Sequence, residues 1–150
     1  MTRFEVVEYD SPDAAALIEE VQQEYVRRYG GRDNSPVDPA EFASPKGLFL
    51  VGYLDGAAVV CGGWRSHGDV AEVKRMYVRA NARRHGVARA MLAELERTAL
   101  AAGHQRMILE TGPVQPEAVA LYRSAGYADI PPFGYYACAP RSIHLGKELL

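Results

Sequence analysis

Two arginines and a histidine stand just ahead of a glycine in RRHGVARAML, residues 83–92. The residues after the glycine recur at helical spacing, which predicts that a helix begins there. A helix start leaves about four amide N–H groups unpaired, beside the positive end of the helix dipole. A glycine lets a phosphate approach those amides, and arginines add charge-assisted hydrogen bonds. The stretch indicates a diphosphate site; the alternative of solvated arginines beside a helix-starting glycine stays open on these residues alone.

The common nucleotide-binding loops do not account for this site. No GxxxxGK[ST] sequence occurs, and no GxGxxG follows a predicted strand. The formal net charge is -2, so the chain lacks the charge for a broad basic face that binds nucleic acid. A local basic pocket remains compatible with that charge.

The opening residues, the apolar runs and the two cysteines predict the cellular compartment and whether a metal is bound. The opening MTRFEVVEYD lacks the apolar core of a signal peptide, and the apolar runs are too short to span a bilayer. Cys61 and Cys138 form no CxxC pair, and no histidine lies at metal-ligand spacing from either. We therefore expect a cytoplasmic protein with two reduced, partly buried thiols, without a metal and without a membrane partner.

The elements that must position the anion site form one predicted domain, residues 1–150. Strands are expected at 3–9, 47–54, 57–66, 69–79 and 105–111, and in the tail stretches FGYYACA and SIHLGKEL; helices are expected at 12–29, 39–42 (short), 86–102 and 116–126. Asp55-Gly56 and SHGD mark turns between strands. This order predicts a mixed α/β sheet with helices on its faces. The strands at 69–79 and 105–111 should be parallel, because a helix connects them.

Two longer segments carry a family resemblance. AEVKRMYVRANARRHGVARAMLAELERTALAAG resembles the coenzyme-A-binding motif of the GNAT superfamily of N-acetyltransferases, [RQ]-x-x-G-x-[GA] after a hydrophobic strand, here Arg83 to Ala88. PEAVALYRSAGY resembles the second family motif, with Leu121-Tyr122 and Gly126-Tyr127. The element order agrees along nearly the whole chain. The resemblance implies a GNAT-type mixed, mostly antiparallel central sheet flanked by helices, with two splayed parallel central strands.

The resemblance also implies acetyl-CoA as co-substrate and direct acetyl transfer to a primary amine in a ternary complex. Backbone amides of the strand would orient the pantetheine arm, one of them bonding the thioester oxygen, and amides at the helix start would take the diphosphate. The implied cofactor-binding residues are Met76, Tyr77, Val78, Arg83, Arg84, His85, Gly86, Val87, Ala88, Arg89 and Gln115. Arg84 stands where the family often has Gly, and Gln115 where it often has Asn.

Two residues are expected to move protons. Tyr122 is implied as the general acid for the departing thiolate; alternatively it is only a core aromatic of its helix. Glu72 is the expected base, which accepts the amine proton through water; alternatively it faces solvent on an alternating strand. Glu110, at the carboxyl end of the next parallel strand, is a weaker candidate for the same task. Cys61 reads as strand core rather than as a nucleophile.

The acceptor pocket is the least determined part of the sequence. Five aromatic residues are expected to line it: Tyr25, Tyr29, Trp64, Tyr135 and Tyr136. Lys74 and Arg75 either face solvent or bind a carboxylate of the acceptor. The preferred function is acetylation of a small-molecule amine, and the resemblance implies a homodimer, which is common among similar proteins. The alternatives are acetylation of a protein N-terminus or lysine, and a non-catalytic acyl-CoA-binding regulatory domain.

Overall fold

One sheet of seven strands forms the centre of the protein, whose computed structural model describes residues 2–83, 86–113 and 115–149. The strands are β1 (Arg3–Val6), β2 (Gly47–Leu54), β3 (Ala57–His67), β4 (Val70–Val78), β5 (Arg106–Thr111), β6 (Ala128–Asp129) and β7 (Ile143–Glu148). Their order across the sheet is β1-β2-β3-β4-β5-β7-β6. Every neighbouring pair is antiparallel except β4 and β5, which are parallel. The expected fold class, a mostly antiparallel sheet with one parallel central pair, is confirmed.

Helices flank the sheet at the expected places. They are α1 (Pro12–Tyr29), α2 (Val87–Ala101) and α3 (Pro116–Ser124), with short 3-10 helices at Pro39–Phe42 and Ala80–Ala82. Proline opens α1 and α3, since the first helical position needs no amide donor. Gly30 ends α1 in the left-handed conformation and donates its N–H to the Val26 carbonyl.

The meander β2-β3-β4 is set by two tight turns. Asp55 and Gly56 have φ angles of 53° and 83°, the left-handed pair that a two-residue hairpin turn requires. Gly68, with φ 65°, lies in the turn between β3 and β4. Both turns stand where the sequence places them.

Hydrophobic cores lie on both faces of the sheet. Met91 and Leu95 of α2 pack with Met107 on one face, in a cluster that also contains Tyr122 of α3. Leu17 of α1 belongs to a second cluster on the other face. Alternating strand residues feed the two clusters, as the period of two in a strand requires. The sheet is thus held between α2 and α3 on one side and α1 on the other.

The tail differs from expectation. FGYYACA forms no strand: the Ala137 N–H donates to the Gly134 carbonyl and the Ala139 N–H to the Tyr136 carbonyl, so the chain folds in successive turns. The two strands of the tail are β6 and β7, of which β7 lies in the predicted SIHLGKEL stretch. The first strand is also shorter than the predicted 3–9, ending at Val6. Alternation alone predicted a strand where Gly134, at φ 70°, begins a turn.

Within the described ranges, none of the helices has the length and apolar character needed to cross a membrane. The same residues contain no cluster of three or more His, Cys, Asp or Glu side chains arranged to hold a metal ion.

Candidate active site

A cavity opens where β4 and β5 separate. The two strands pair only over Val70–Glu72 and Arg106–Ile108, although β4 continues to Val78 and β5 to Thr111. Beyond the paired segment lies a cavity of about 1140 Å³. Its walls come from α1 and the loop after it, β4, the start of α2, the end of β5 and α3. The last wall is the tail loop, residues 130–142 between β6 and β7. The splay leaves backbone groups of both strands without a partner strand along the cavity.

A β-bulge bends β4 beside this cavity. The register between β3 and β4 shifts between Cys61 and Gly63, and Arg75 has a left-handed φ of 61°. The Cys61 thiol donates a hydrogen bond of 3.2 Å to the Arg75 carbonyl. Burial raises the pKa of Cys61 well above its usual range, so this thiol is a neutral donor that supports the bulge rather than a nucleophile. Cys138 is exposed, contrary to the expectation that both thiols are partly buried.

The start of α2 faces the cavity. Gly86 precedes the helix with φ 73°, a left-handed conformation, and as a glycine it has no side chain with which to cap the helix amides. A Cβ placed on Gly86 would meet none of the described residues within 4 Å, its chain neighbours apart, so the space beside Gly86 is open among them. Gly86, Val87, Ala88 and Arg89 all line the cavity. Uncapped amides facing an open space fit the diphosphate of a nucleotide cofactor.

Cations flank this helix start. Arg83 lines the cavity, and its Nε donates to the Val78 carbonyl at 3.0 Å. Arg89 also lines it and donates to the Ser124 hydroxyl at 2.6 Å. Arg84 and His85, the other two cations of the predicted motif, lie outside the described residues.

The remaining predicted cofactor residues lie further along the cavity. Met76, Tyr77 and Val78 line it from β4, after the bulge, and Gln115 lines it from the residue before α3. The Thr111 hydroxyl donates to the Gln115 side-chain oxygen at 3.3 Å. The structure therefore brings the described members of the predicted set to one continuous cavity.

Tyr122 lies on the α3 wall of the cavity. Its side chain is buried and packs edge-on against Tyr127, with ring centroids 5.9 Å apart. Burial raises the pKa of Tyr122 to about 12, and no hydrogen bond from a described residue contributes to the shift. The phenol therefore keeps its proton at neutral pH and has it available for a partner in the cavity.

Glu110 is the carboxylate just beyond the point where β4 and β5 separate. It lies near the end of β5, lines the cavity, and accepts a hydrogen bond of 3.2 Å from the Ser142 hydroxyl. Burial raises the pKa of Glu110 to about 7, although the Lys74 ammonium partly opposes the shift. A carboxylate with this pKa can take up and release a proton near neutral pH.

Glu72, the expected base, has other partners. It is buried and does not line the cavity; Arg65 Nε donates to its Oε1 at 3.0 Å, and His67 Nε2 lies 2.7 Å from the same atom. Glu72 is aligned with Ile108 at the last paired position of β4 and β5, two residues short of Glu110. The solvent-facing alternative is wrong, because Glu72 is buried and the Arg65 guanidinium holds its carboxylate. The sequence identifies both glutamates as candidate bases. Only the register of β4 against β5 shows that Glu110, and not Glu72, lies where the two strands have separated.

Asp33, which the sequence did not single out, organises the far end of the cavity. Its carboxylate accepts hydrogen bonds from Lys74 Nζ at 3.1 Å, from Arg75 and from the Tyr136 hydroxyl at 2.7 Å. Burial alone would raise the pKa of Asp33, but Lys74, Tyr136 and Arg75 together hold it well below its usual range. The loop after α1, β4 and the tail loop are thereby joined at one carboxylate, and neither Lys74 nor Arg75 faces solvent freely.

Removing this carboxylate should destabilise the fold. Asp33→Ala leaves Lys74 and Arg75 buried without an anion, so we expect the free energy of unfolding in urea to fall by about 3 kcal/mol. The folded-state pKa of Asp33 lies below the unfolded value of about 3.9, so this stabilisation is present at neutral pH and is lost as the pH falls below about 4. The control is Asp129→Ala, which breaks the exposed pair with Arg123 and should cost less than about 0.5 kcal/mol. Equal losses for both variants would contradict the assignment.

Three of the five aromatic residues expected at the acceptor pocket line the cavity: Tyr25, Tyr29 and Tyr136. Trp64 does not, because it is buried in the α2 core, where its Nε1 donates to the Thr98 hydroxyl at 3.0 Å. Tyr135 is also absent from the lining and is exposed. The aromatic wall is therefore built by α1 and the tail loop.

Known proteins resemble this chain in sequence and in fold. Residues 18–127 match the sequence model of the Acetyltransferase (GNAT) family. An IAA acetyltransferase of Azospirillum brasilense is 38% identical over 135 residues, which cover 89% of this chain and 88% of that protein. A Klebsiella pneumoniae structure, classed provisionally as an acyl-CoA N-acyltransferase, superposes with a TM-score of 0.83 at 27% identity, covering 100% of this chain and 99% of that one. A GNAT acetyltransferase from Elizabethkingia anophelis, solved with acetyl-CoA bound, has a TM-score of 0.70 at 12% identity over 98% and 97% of the two chains.

Proposed function

The chain belongs to the acetyltransferase (GNAT) family, and we propose that it transfers the acetyl group of acetyl-CoA to the primary amine of a small molecule, by direct attack in a ternary complex. The observation that carries the proposal is a single cavity that joins an uncapped helix start to a buried phenol and a carboxylate of raised pKa. A binding-only regulatory domain would need the first of these features but not the other two. The two unpaired cysteines suit a reducing, cytoplasmic setting.

Acetyl-CoA, when bound, supplies an acetyl group activated as a thioester. We assign its diphosphate to the amides at Gly86, Val87 and Ala88, with Arg83, Arg84, His85 and Arg89 as the surrounding cations. Backbone amides from Met76 to Val78 would orient the pantetheine arm, with Gln115 opposite. One amide, of Met76 or Tyr77, would donate to the thioester oxygen as negative charge develops there.

We assign proton transfer to two side chains, those of Glu110 and Tyr122. The amine nitrogen forms a bond to the carbonyl carbon while the bond from that carbon to sulfur breaks. Glu110 takes the proton that the amine loses, directly or through one water, and Tyr122 gives its proton to the departing sulfur. We prefer Glu110 to Glu72 as the base, because Glu110 lines the cavity with its pKa raised to about 7, whereas Glu72 is not among the lining residues.

The direct test measures release of the coenzyme A thiol. The protein is incubated with acetyl-CoA and, separately, with a panel of small primary amines and with peptides that offer a free N-terminus or a lysine. Turnover on small amines supports the proposal, whereas turnover on peptides alone would favour the protein-acetyltransferase alternative. Tight acetyl-CoA binding with no turnover on either panel would favour a regulatory domain.

A substitution at the helix start tests the cofactor site. Gly86→Glu places a carboxylate in front of the α2 amides, and repulsion of the diphosphate should weaken acetyl-CoA binding by at least about tenfold in calorimetry. Gly68→Glu is the matched control, because Gly68 has a similar φ of 65°, equally open space and no place in the cavity lining. Both variants bear the same backbone cost of a left-handed non-glycine residue. Equal affinities in the two variants would refute the assigned diphosphate site.

A further inference from the structure

Among the described residues, the cationic side chains that line the cavity are Arg28, Arg32, Lys74, Arg75, Arg83, Arg89 and Arg141. Most of them are engaged within the protein. Lys74 and Arg75 share Asp33, Arg32 pairs with Glu19, and Arg28 bonds Glu24. In the described part of the chain, Arg141 is the lining cation that has neither a hydrogen bond nor an ion pair.

Arg141 lies at the acceptor end of the cavity, beside the proposed base. It directly precedes Ser142, whose hydroxyl donates to Glu110. Tyr29 lines the same cavity as Glu110 and Arg141. The Tyr29 hydroxyl also reaches the end of β5, where a Cβ on Gly112 would lie 2.5 Å from it. Arg141 is exposed, and it lines the cavity next to Ser142, whose bond to Glu110 joins the tail to the end of β5.

The other end of the cavity already has its own cations. Arg83 and Arg89 stand at the start of α2, where the diphosphate is assigned, whereas Arg141 belongs to the tail loop that also contributes Tyr136. A guanidinium binds a carboxylate through two parallel hydrogen bonds, a geometry that a lysine cannot match. An unpaired guanidinium beside a proton-accepting carboxylate is complementary to a molecule with an anion close to its amine.

We propose that the acceptor is a small amine that also carries a carboxylate, with Arg141 binding the carboxylate and Glu110 receiving the proton of the amine. This assignment rests on the proposed acetyl transfer and narrows its substrate class to amino-acid-like compounds. Arg141 is then the residue that selects this class. Lys74 and Arg75, considered from sequence for the same role, are instead held by Asp33.

The test compares each amino acid with its decarboxylated counterpart. The pairs are phenylalanine and phenethylamine, tryptophan and tryptamine, tyrosine and tyramine, histidine and histamine, lysine and cadaverine, and ornithine and putrescine. We expect wild-type protein to have the higher kcat/KM on the amino acid of at least one pair. Arg141→Gln should lower that value by about tenfold to a hundredfold while leaving the decarboxylated amine and acetyl-CoA affinity unchanged.

Two further variants define the effect. Arg141→Lys keeps the charge without the paired hydrogen bonds and should recover only part of the loss. Arg106→Gln removes an arginine that pairs with Glu148 away from the cavity, and should leave both members of every pair unchanged. Higher kcat/KM on the decarboxylated amine in every pair that reacts, or equal losses on both members in Arg141→Gln, would overturn the carboxylate assignment while leaving acetyl transfer in place.

A separate measurement decides the outcome if no amine is acetylated. In that case acetyl transfer to small amines fails, and the six amino acids are titrated calorimetrically into protein saturated with coenzyme A. Heat of binding that disappears in Arg141→Gln supports the carboxylate site on its own. No binding of any of the six, or binding unchanged in the variant, overturns it.

Discussion

Tyr122→Phe should turn over acetyl-CoA about a thousandfold more slowly than the wild-type protein while binding it equally well. The substitution removes only the phenol oxygen, and no hydrogen bond within the described residues is lost with it. The departing sulfur then has no proton donor, so the loss should appear in kcat rather than in cofactor affinity. Pre-steady-state release of thiol, with a fixed excess of acceptor, gives the rate of the chemical step directly.

The neighbouring ring supplies the matched control. Tyr127 is also buried and contacts Tyr122 edge-on, but it is not part of the cavity wall, and its hydroxyl donates to Glu96 at 2.8 Å. Tyr127→Phe should therefore cost about 1 kcal/mol of stability and leave kcat unchanged. Tyr122→Phe should do the reverse. If the two variants lose activity equally, Tyr122 is a packing residue and the proposed acid is wrong.

The features that could be predicted from sequence are those set by local backbone conformation. Asp55-Gly56, the proline that opens α1 and the glycine that precedes α2 each impose a particular φ on a few residues, whatever lies elsewhere in the chain. The end of the cavity at the start of α2, where we propose that the cofactor binds, depends mainly on such features. It is the end at which the predicted residues come together wherever the structure describes them.

The end of the cavity that we propose for the acceptor depends on contacts between distant residues, and there the sequence was a poorer guide. Asp33 meets Lys74 and Arg75 across separations of 41 and 42 residues, and Tyr136 across 103. Its loop, RDNSPVDP, has no periodicity to mark it. The bond to Asp33 also ties down the tail stretch that alternation had predicted to be a strand. Such residues become identifiable only once the sheet brings the loops to one place.

The choice between Glu72 and Glu110 also depends on tertiary structure, although both residues lie in regular strands. Both lie on strands of the parallel pair, and the strand period places both on one face. Pairing of Glu72 with Ile108 puts it where β4 and β5 are still joined, and Glu110 beyond the point of separation. The register of a parallel pair is fixed by packing of the connecting helix, which the strand sequences do not contain. The choice between the two carboxylates is therefore a tertiary property.

Glu110→Gln should lower kcat/KM at pH 8 by about a thousandfold, because the amine then has no proton acceptor. In the wild-type protein the pKa of Glu110 is raised to about 7, so kcat/KM should fall as the pH drops through 7 and the carboxylate becomes protonated. The glutamine variant should lack this fall of kcat/KM on the acid side of the pH profile, the acid limb, altogether. Glu72→Gln, which can still accept from Arg65, is the control and should retain the limb. If Glu72→Gln loses it and Glu110→Gln keeps it, the base is Glu72, as the sequence first indicated.

Stability gives a readout of the same residue that requires no acceptor. The folded-state pKa of Glu110 lies above the ordinary pKa of 4.5 for a glutamate, so protonation stabilises the folded protein. That contribution is fully present below about pH 4.5 and is lost as the pH rises through about 7. A neutral glutamine avoids the loss, so the difference in thermal stability between Glu110→Gln and wild type should move in favour of the variant from pH 5 to pH 8. A pH-independent difference would mean that Glu110 titrates like a solvated carboxylate, and the acid limb of kcat/KM would then need another source.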